Sequence, residues 1–448
     1  MIHYVSSNNQ AIIIGGGISG KLAARVLSGF YNEVLILERD HEPVGPWPRK
    51  GAPQGEHLHA LLHAGEYGLE ELFPGITEDF YRSGAVKINS TLDLAWFHHG
   101  VWKLRYDGKY STTLQTRPHL EWHVDQFIKR IPNVVIHYNQ VVQDFLYDEE
   151  KNQIIGVQLK DGSLLADLVV DATGVSSLSS SWLAKQQIEV ANEKVEINLS
   201  YISKQFQLSE KKNRDWKIKL VYPNPPHEKM GGTISKVEDN RYIVTLMGYH
   251  NVINDKEILK SDQSFVKLTQ KLPKQDIFQE LQEATPISNT SIYRVPHIIW
   301  RRFDKVKKLP TGLLLIGDTF CRIDPVFGQG MSIAILESLA LQKLLKKHNH
   351  ELEKVPTAFH KKAVKIIAPI WNMVITEDFR YPAAKGKIPF GLSIQQWYAR
   401  KIFLLSSQNQ EVYDSFIKVM NLVRPITSLM KPSILKVVLL HTFSKSRK

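Results

Sequence analysis

The stretch "AIIIGGGISGKLAARVLSGFYNEVLILERD", residues 11–40, decides the fold. Residues 11–14 are apolar and β-favouring, as in a strand buried on both faces. Gly15, Gly17 and Gly20 follow with GxGxxG spacing. Residues 19–28 have the apolar repeat of a helix, and 34–37 form a second apolar strand that ends in Glu38. Each part has a physical task. Gly15 permits a tight turn, Gly17 lets a pyrophosphate approach the backbone, and Gly20 lets the helix pack close to the strand. The helix N-terminus offers unpaired N–H groups and a positive dipole end to the phosphates. Glu38 stands where a carboxylate accepts hydrogen bonds from ribose hydroxyls. Glycine spacing alone is weak; strand, glycines, helix, strand and acid in that order specify a Rossmann-like dinucleotide site. They do not choose between NAD and FAD.

Two distant segments make that choice. "ADLVVDATGVSSLSSSWL", 166–183, holds an apolar strand at 168–170, then Asp171 and the turn 172–174. "GLLLIGDTFCRIDPVFGQGMSIAILESLALQKLL", 312–345, gives a strand at 313–316, then Gly317 and Asp318, a glycine-rich turn with Pro325, Gly328 and Gly330, and a helix from Met331 to Leu345. Asp318 sits at a strand's carboxyl end, where open α/β sheets place ligands, and an acceptor there suits a polyol such as a ribityl chain. The turn at 325–330, leading into a helix N-terminus, presents N–H groups to an electron-rich ring edge such as the flavin O2 and N1 region. A plain NAD domain needs neither feature.

Composition bounds the rest. The 448 residues, 43% apolar and 23% charged, suffice for two domains or one composite one. No apolar run reaches the roughly 18–20 residues of a transmembrane helix. The N-terminal stretch has neither the basic start nor the long apolar core of a signal peptide. The single cysteine, Cys321, excludes an internal disulfide and Cys-rich metal patterns, so a reducing, cytoplasmic setting is expected. Net charge is +12, unevenly spread: 415–448 contains Lys418, Arg424, Lys431, Lys436, Lys445, Arg447 and Lys448 and no acid. Interleaved with apolar residues, this basic C-terminus reads either as peripheral membrane contact or as a packed helix with a charged face. No nucleic-acid module is recognisable.

"EHLHALLHAG", 56–65, raises a metal question, because His59 and His63 would share one face of a helix. The pair His98 and His99 lies downstream. The competing readings are a cofactor-side loop, with an imidazole N–H stabilising negative charge, and a structural cluster.

The combination of GxGxxG, DATG and GD resembles the group A flavoprotein monooxygenases, with their para-hydroxybenzoate hydroxylase-like fold. "GAPQGEHLHALL", "TRPHLEWHV", "LPTGLLLIGDTFCRIDPVFGQGMSIAILE" and "WNMVITEDFRYP" look like one subgroup, the bacterial FAD-dependent epoxidases and hydroxylases related to squalene monooxygenase and the polyether epoxidases. The resemblance spans about residues 10–390. It implies an α/β fold: a Rossmann-like FAD-binding domain (1–75, 117–181, 296–350), an inserted β-sheet substrate domain (76–116, 182–295) and a helical C-terminal region (351–448). By the same resemblance Gly15, Gly17, Gly20 and Glu38 meet the ADP half of FAD, and Arg39 belongs to the cofactor set. Gln54, Arg117, Asp171, Gly174, Asp318, Pro325, Gly328, Gly330 and Met331 complete the cofactor set, and His57 and Asp378 are the candidates for chemistry near the flavin. One departure stands out: the family continues DATG with an arginine, and here Val175 takes that place.

The implied activity is FAD-dependent oxygenation. NAD(P)H reduces the flavin, O2 adds at C4a, and the hydroperoxide epoxidises or hydroxylates a small lipophilic alkene or aromatic substrate. Trp96, Phe97, Trp102 and Trp371 are the aromatic candidates for the cavity wall. A non-redox flavoprotein cyclase and a flavin-dependent reductase of isoprenoid double bonds are the alternatives. No metal site is expected.

Overall fold

The computed structural model describes residues 9–253, 258–259 and 261–445. Its centre is a five-stranded parallel sheet in the spatial order Leu313–Leu315, Leu168–Asp171, Gln10–Ile14, Glu33–Leu37, Val134–His137. Ala11, Ile12, Val169, Val170 and Leu313 to Leu315 are wholly buried, as apolar runs covered on both faces must be. The chain leaves the strand Gln10–Ile14 toward one edge and later returns to its other side. The carboxyl ends therefore diverge there and leave a crevice, the usual ligand site of such sheets.

The helices Ile18–Leu27, Arg117–Lys129 and Gly330–Lys347 pack together beside this sheet, and a three-stranded antiparallel sheet (Val142–Asp148, Gln153–Leu159, Gly162–Leu165) abuts the strand Leu168–Asp171. A separate ten-stranded sheet is built on the long strand Asn192–Gln207, with Ser291–Arg301 on one side and Tyr242–Gly248 on the other. Its two faces alternate. Ile202, Phe206, Val244 and Leu246 join one core with Phe265 and Ile277, while Tyr201, Met247 and Tyr249 face the dinucleotide unit.

One expected boundary shifts, and one expected helical region is mixed. The division at 296 falls inside the continuous strand Ser291–Arg301, so 296–301 belong to the large sheet. The region after 351 is mostly helical (Val355–Asp378, Leu392–Leu405, Gln410–Met420, Pro432–Lys445), but Lys385–Gly386 pairs with Asn192–Gln207 as a short strand. Among the described residues no helix is long and apolar enough to cross a membrane. The stretch 1–8, Arg447 and Lys448 lie outside the described residues, and nothing is described of the Lys445 side chain.

Candidate active site

The crevice is an elongated cleft of about 420 Å³. Gly15, Gly17, Glu38, Arg39, Gln54, His57, Arg117, Gly174, Asp318, Pro325, Gly328, Gly330 and Met331 all line it, so most of the sequence-derived cofactor set converges from three separated strand ends. The helices Ile18–Leu27 and Gly330–Lys347 both enter the cleft without a side-chain cap on their first N–H groups. Those donors are left for a ligand. A Cβ on Gly17 would meet nothing closer than the Arg49 guanidinium at 3.6 Å, and one on Gly330 would meet nothing within 4 Å. Open glycines facing uncapped helix ends are what a pyrophosphate and an electron-rich ring edge require. The residues present fit a dinucleotide.

Two residues of the expected set do not line the cleft. Gly20 sits behind it, where a Cβ would come within 1.9 Å of the Gly15 carbonyl oxygen; its part is helix–strand packing. Asp171 is wholly buried, and its carboxylate accepts the N–H groups of Thr173 (3.0 Å) and Ser179 (2.8 Å) and the Thr173 hydroxyl (2.6 Å). It shapes the turn that carries Thr173 and Gly174 into the cleft, rather than touching a ligand.

Charge at the mouth is organised by Arg49 and Arg117 with the acids around them. Arg49 reaches Asp40 (2.8 Å), Glu121 (3.1 Å) and Glu38 (3.6 Å), and Arg117 pairs with Glu121 at 2.6 Å. Burial works against ionisation of Glu121, but Arg117 and Arg49 outweigh it and hold its carboxyl at about 2. Glu38 keeps the turn shut from the other side, accepting the Gly16 N–H (2.7 Å) and the Asp40 N–H (2.9 Å).

The turn after DATG is held from another strand. Arg301, at the end of the strand Ser291–Arg301, is only 7% exposed. Its guanidinium donates to the carbonyls of Val175 (2.6 Å), Asp318 (3.1 Å) and Thr319 (3.0 Å). One buried cation thus ties the DATG turn to the GD turn. Its neighbour Arg302 is paired with Glu193 (2.7 Å) and Asp304 (2.8 Å). Cys321 lines the cleft, and burial pushes its thiol well above the ordinary range, which disfavours the thiolate.

The histidines separate into different jobs. His59 and His63 do not share a helix: His59 lies in the preceding loop, bonded to the Gln54 carbonyl (2.7 Å), and His63 opens the helix His63–Leu72, bonded to the Ser111 carbonyl (2.8 Å). That arrangement offers no shared metal. Of the three, His57 and His59 line the cleft. His57 Nδ1 meets the Ser203 hydroxyl (2.8 Å), itself 2.6 Å from that of Thr245, both on the inner face of the large sheet. Its Nε2 is buried and has no protein partner among the described residues, and burial lowers the ring to about 4, so a neutral imidazole stands in the cleft wall.

Behind this wall lies a second cavity of about 580 Å³, lined mainly by apolar groups from the large sheet and the C-terminal helices, including Leu58, Trp96, Leu220, Met247, Ile402 and Phe416. Leu58, Ala60, Tyr201, Pro325 and Gly328 belong to both walls, so cleft and cavity meet there. Of the aromatic candidates only Trp96 lines the cavity. Phe97 and Trp102 pack in the core on the sheet's far face, and Trp371 packs near Trp300. His98 and His99 do line it, with burial lowering both rings. Asp378, expected near the flavin, also lines this cavity rather than the cleft.

No protein-family model matches the chain. It is 28% identical over 396 residues to Protein Rv3254 of Mycobacterium tuberculosis (strain ATCC 25618 / H37Rv), covering 85% of this chain and 82% of that one. Among solved structures it is similar to PqsL, a probable FAD-dependent monooxygenase from Pseudomonas aeruginosa (TM-score 0.64, 16% identity, 84% of this chain and 97% of that one). It is also similar to the p-nitrophenol 4-monooxygenase PnpA from Pseudomonas putida DLL-E4 (0.65, 17%, 92% and 99%) and to the flavin-dependent brominase Bmp2 (0.67, 12%, 98% and 100%). These likenesses establish the fold: that of group A flavoprotein monooxygenases, which halogenases share.

Proposed function

We propose that this chain, built on the fold common to FAD-dependent monooxygenases and halogenases, is an FAD-dependent monooxygenase that uses NAD(P)H and O2 to epoxidise or hydroxylate a lipophilic alkene or aromatic substrate. The observation that carries this reading is the junction of the two spaces at Leu58, Ala60, Tyr201, Pro325 and Gly328. A polar, glycine-edged cleft for a dinucleotide adjoins an apolar chamber across these residues. FAD, once reduced, supplies the activation of O2 for transfer of one oxygen atom. The chain's own work is binding, orientation and exclusion of water. Uncapped helix ends hold the phosphates, Asp318 meets the polyol, and neutral His57 offers a hydrogen bond at the cleft wall without adding charge. The apolar chamber keeps water from the reacting carbon and holds it beside the flavin.

Anaerobic mixing of flavin-loaded protein with NADH or NADPH should bleach the flavin. With a substrate in the cavity, oxygen uptake should rise and one atom of isotopically labelled O2 should enter the product. A non-redox cyclase would consume neither gas nor nicotinamide, and a reductase of isoprenoid double bonds would add two hydrogens and no oxygen.

The substrate's route supports a second part of this proposal, docking on an anionic lipid surface. Ile394 and Met430 line the cavity and are also 73% and 60% exposed, which marks its mouth. Around them Phe390 is fully exposed, Ile388 and Leu440 are largely so, and Trp397 is partly so. Lys385, Lys387, Arg400, Lys431 and Lys436 are exposed on the same segments, and Glu411 and Asp414 are the only acids after 378. The face is thus wider than the basic C-terminal helix singled out in the sequence, whose Ile434 and Val438 pack inward. Apolar side chains ringed by cations fit an anionic bilayer surface. Phe390→Asp combined with Ile394→Asp should lower co-sedimentation with phosphatidylglycerol-containing vesicles about tenfold. High salt should do likewise. Equal sedimentation of both proteins, or none by the unmodified chain, would remove this part of the proposal.

A further inference from the structure

The inner face of the large sheet carries apolar or aromatic groups at Leu199, Tyr201 and Met247. On the same face stand two hydroxyls, Ser203 and Thr245, directly opposite each other in the antiparallel register and each 1% exposed. A buried hydroxyl is costly unless it is hydrogen-bonded. The two oxygens are 2.6 Å apart. Thr245 Oγ1 accepts the Leu58 N–H (3.1 Å), and Ser203 Oγ lies 2.8 Å from His57 Nδ1. Among the described residues neither hydroxyl has a further hydrogen-bond partner. The contacts thus close a loop that starts at the backbone of Leu58 and returns to the residue before it.

The direction of this loop follows from counting donors. The backbone N–H can only donate. The Thr245 hydrogen has one oxygen to reach, that of Ser203, and the Ser203 hydrogen then has His57 Nδ1. In that order both hydroxyl hydrogens are bonded and Nδ1 accepts. The hydrogen of the neutral imidazole is then on Nε2, and it alone is left over. In the reverse order Nδ1 donates to Ser203 and Ser203 to Thr245. The Thr245 hydrogen and the Nε2 lone pair then both go unmatched, which is the costlier arrangement. The two nitrogens point nearly opposite ways across the ring. With Nδ1 turned to the sheet, Nε2 turns away from it, in a residue that lines the cleft, and it has no partner among the described residues. The rings of Tyr201 and Tyr293 each stand 5.9 Å from the imidazole.

We propose that Ser203 and Thr245 are positioning residues: a one-way run of hydrogen bonds, from the Leu58 N–H through Thr245 and Ser203 to His57 Nδ1, fixes His57 as the Nε2–H tautomer, so that the ring offers the cofactor a donor and not an acceptor. This rests on the cleft being the FAD site. What one ring nitrogen binds decides what the other can do. A neutral donor beside the flavin favours the negative charge that reduction brings to it, without placing a fixed cation in the wall.

Nitrogen NMR of the flavin-free full chain, with isotopically labelled histidine and the signal assigned by its loss in His57→Gln, reads the tautomer directly. Nε2 should carry the hydrogen and Nδ1 should be bare. Ser203→Ala should let the other tautomer appear, and Ser203→Thr, which keeps the hydroxyl, should not. In the flavin-loaded chain, His57→Phe should weaken the preference for reduced over oxidised flavin about tenfold, a fall of about 30 mV in the two-electron midpoint potential. Ser203→Ala should weaken it about threefold, and Ser203→Thr should leave it unchanged. The potential is read only from molecules that hold flavin, so a partly unfolded variant does not distort it. Hydrogen on Nδ1 in the unmodified chain, a tautomer indifferent to Ser203→Ala, or a potential indifferent to His57→Phe would overturn the inference and leave the flavin site standing. A chain that takes up no FAD would remove that site and the inference with it.

Discussion

Gly17→Val is expected to yield a folded protein that no longer retains flavin. The valine methyls would enter the open cleft, since a Cβ there meets nothing nearer than Arg49 at 3.6 Å, and they would occupy the ground the pyrophosphate needs. The fold has no reason to suffer. Flavin affinity should fall by about a thousandfold or more, roughly 4 kcal/mol. Gly20→Ala is the matched control. Its new methyl would press on the Gly15 carbonyl from 1.9 Å, forcing the helix Ile18–Leu27 off its strand at a cost of about 3 kcal/mol in stability. Urea titration and flavin titration, run on both variants, separate the two roles that one glycine motif combines. If Gly17→Val binds FAD normally, the phosphate seat is not where the cleft puts it.

The second large effect is expected from Arg301→Met. Removing the guanidinium leaves the carbonyls of Val175, Asp318 and Thr319 without their donor in a largely buried wall. With some water re-entering, the loss should be about 3 kcal/mol of stability, together with weaker flavin binding as the two turns part. Arg301→Lys should recover only part of both, because a point charge cannot span three acceptors in a plane. In this chain the carbonyl of Val175, the residue after DATG, is held by an arginine from another strand. Unchanged stability of Arg301→Met would disprove that role.

These two residues also mark how far the sequence could be read. The first strand, its glycines, Glu38 and the helix at 330–347 are legible because their signals are local: apolar runs, turn residues and periodicity within thirty positions. Asp171 carries the same motif weight, yet its carboxylate turns inward to Thr173 and Ser179; adjacency to a ligand loop is not contact with the ligand. Arg301 looks solvated beside Arg302, and only the antiparallel pairing of Ser291–Arg301 with Asn192–Gln207 and Cys321–Arg322 places it under the cleft. Phe97 and Trp102 were drawn toward the cavity by composition, but strand alternation puts Phe97 on the opposite face from Trp96. The same long-range register brings Ser203 and Thr245 to His57. Such meetings depend on contacts between residues far apart in the chain, and no local pattern encodes them.

The measurement that bears most directly on the central claim is the flavin content of the natively purified chain. The cleft's converging strand ends, open glycines and uncapped helices predict a yellow protein that releases one FAD per polypeptide on denaturation, or that takes up one when FAD is supplied. A colourless protein that gains no flavin absorbance on titration with FAD, while remaining folded, would contradict the account.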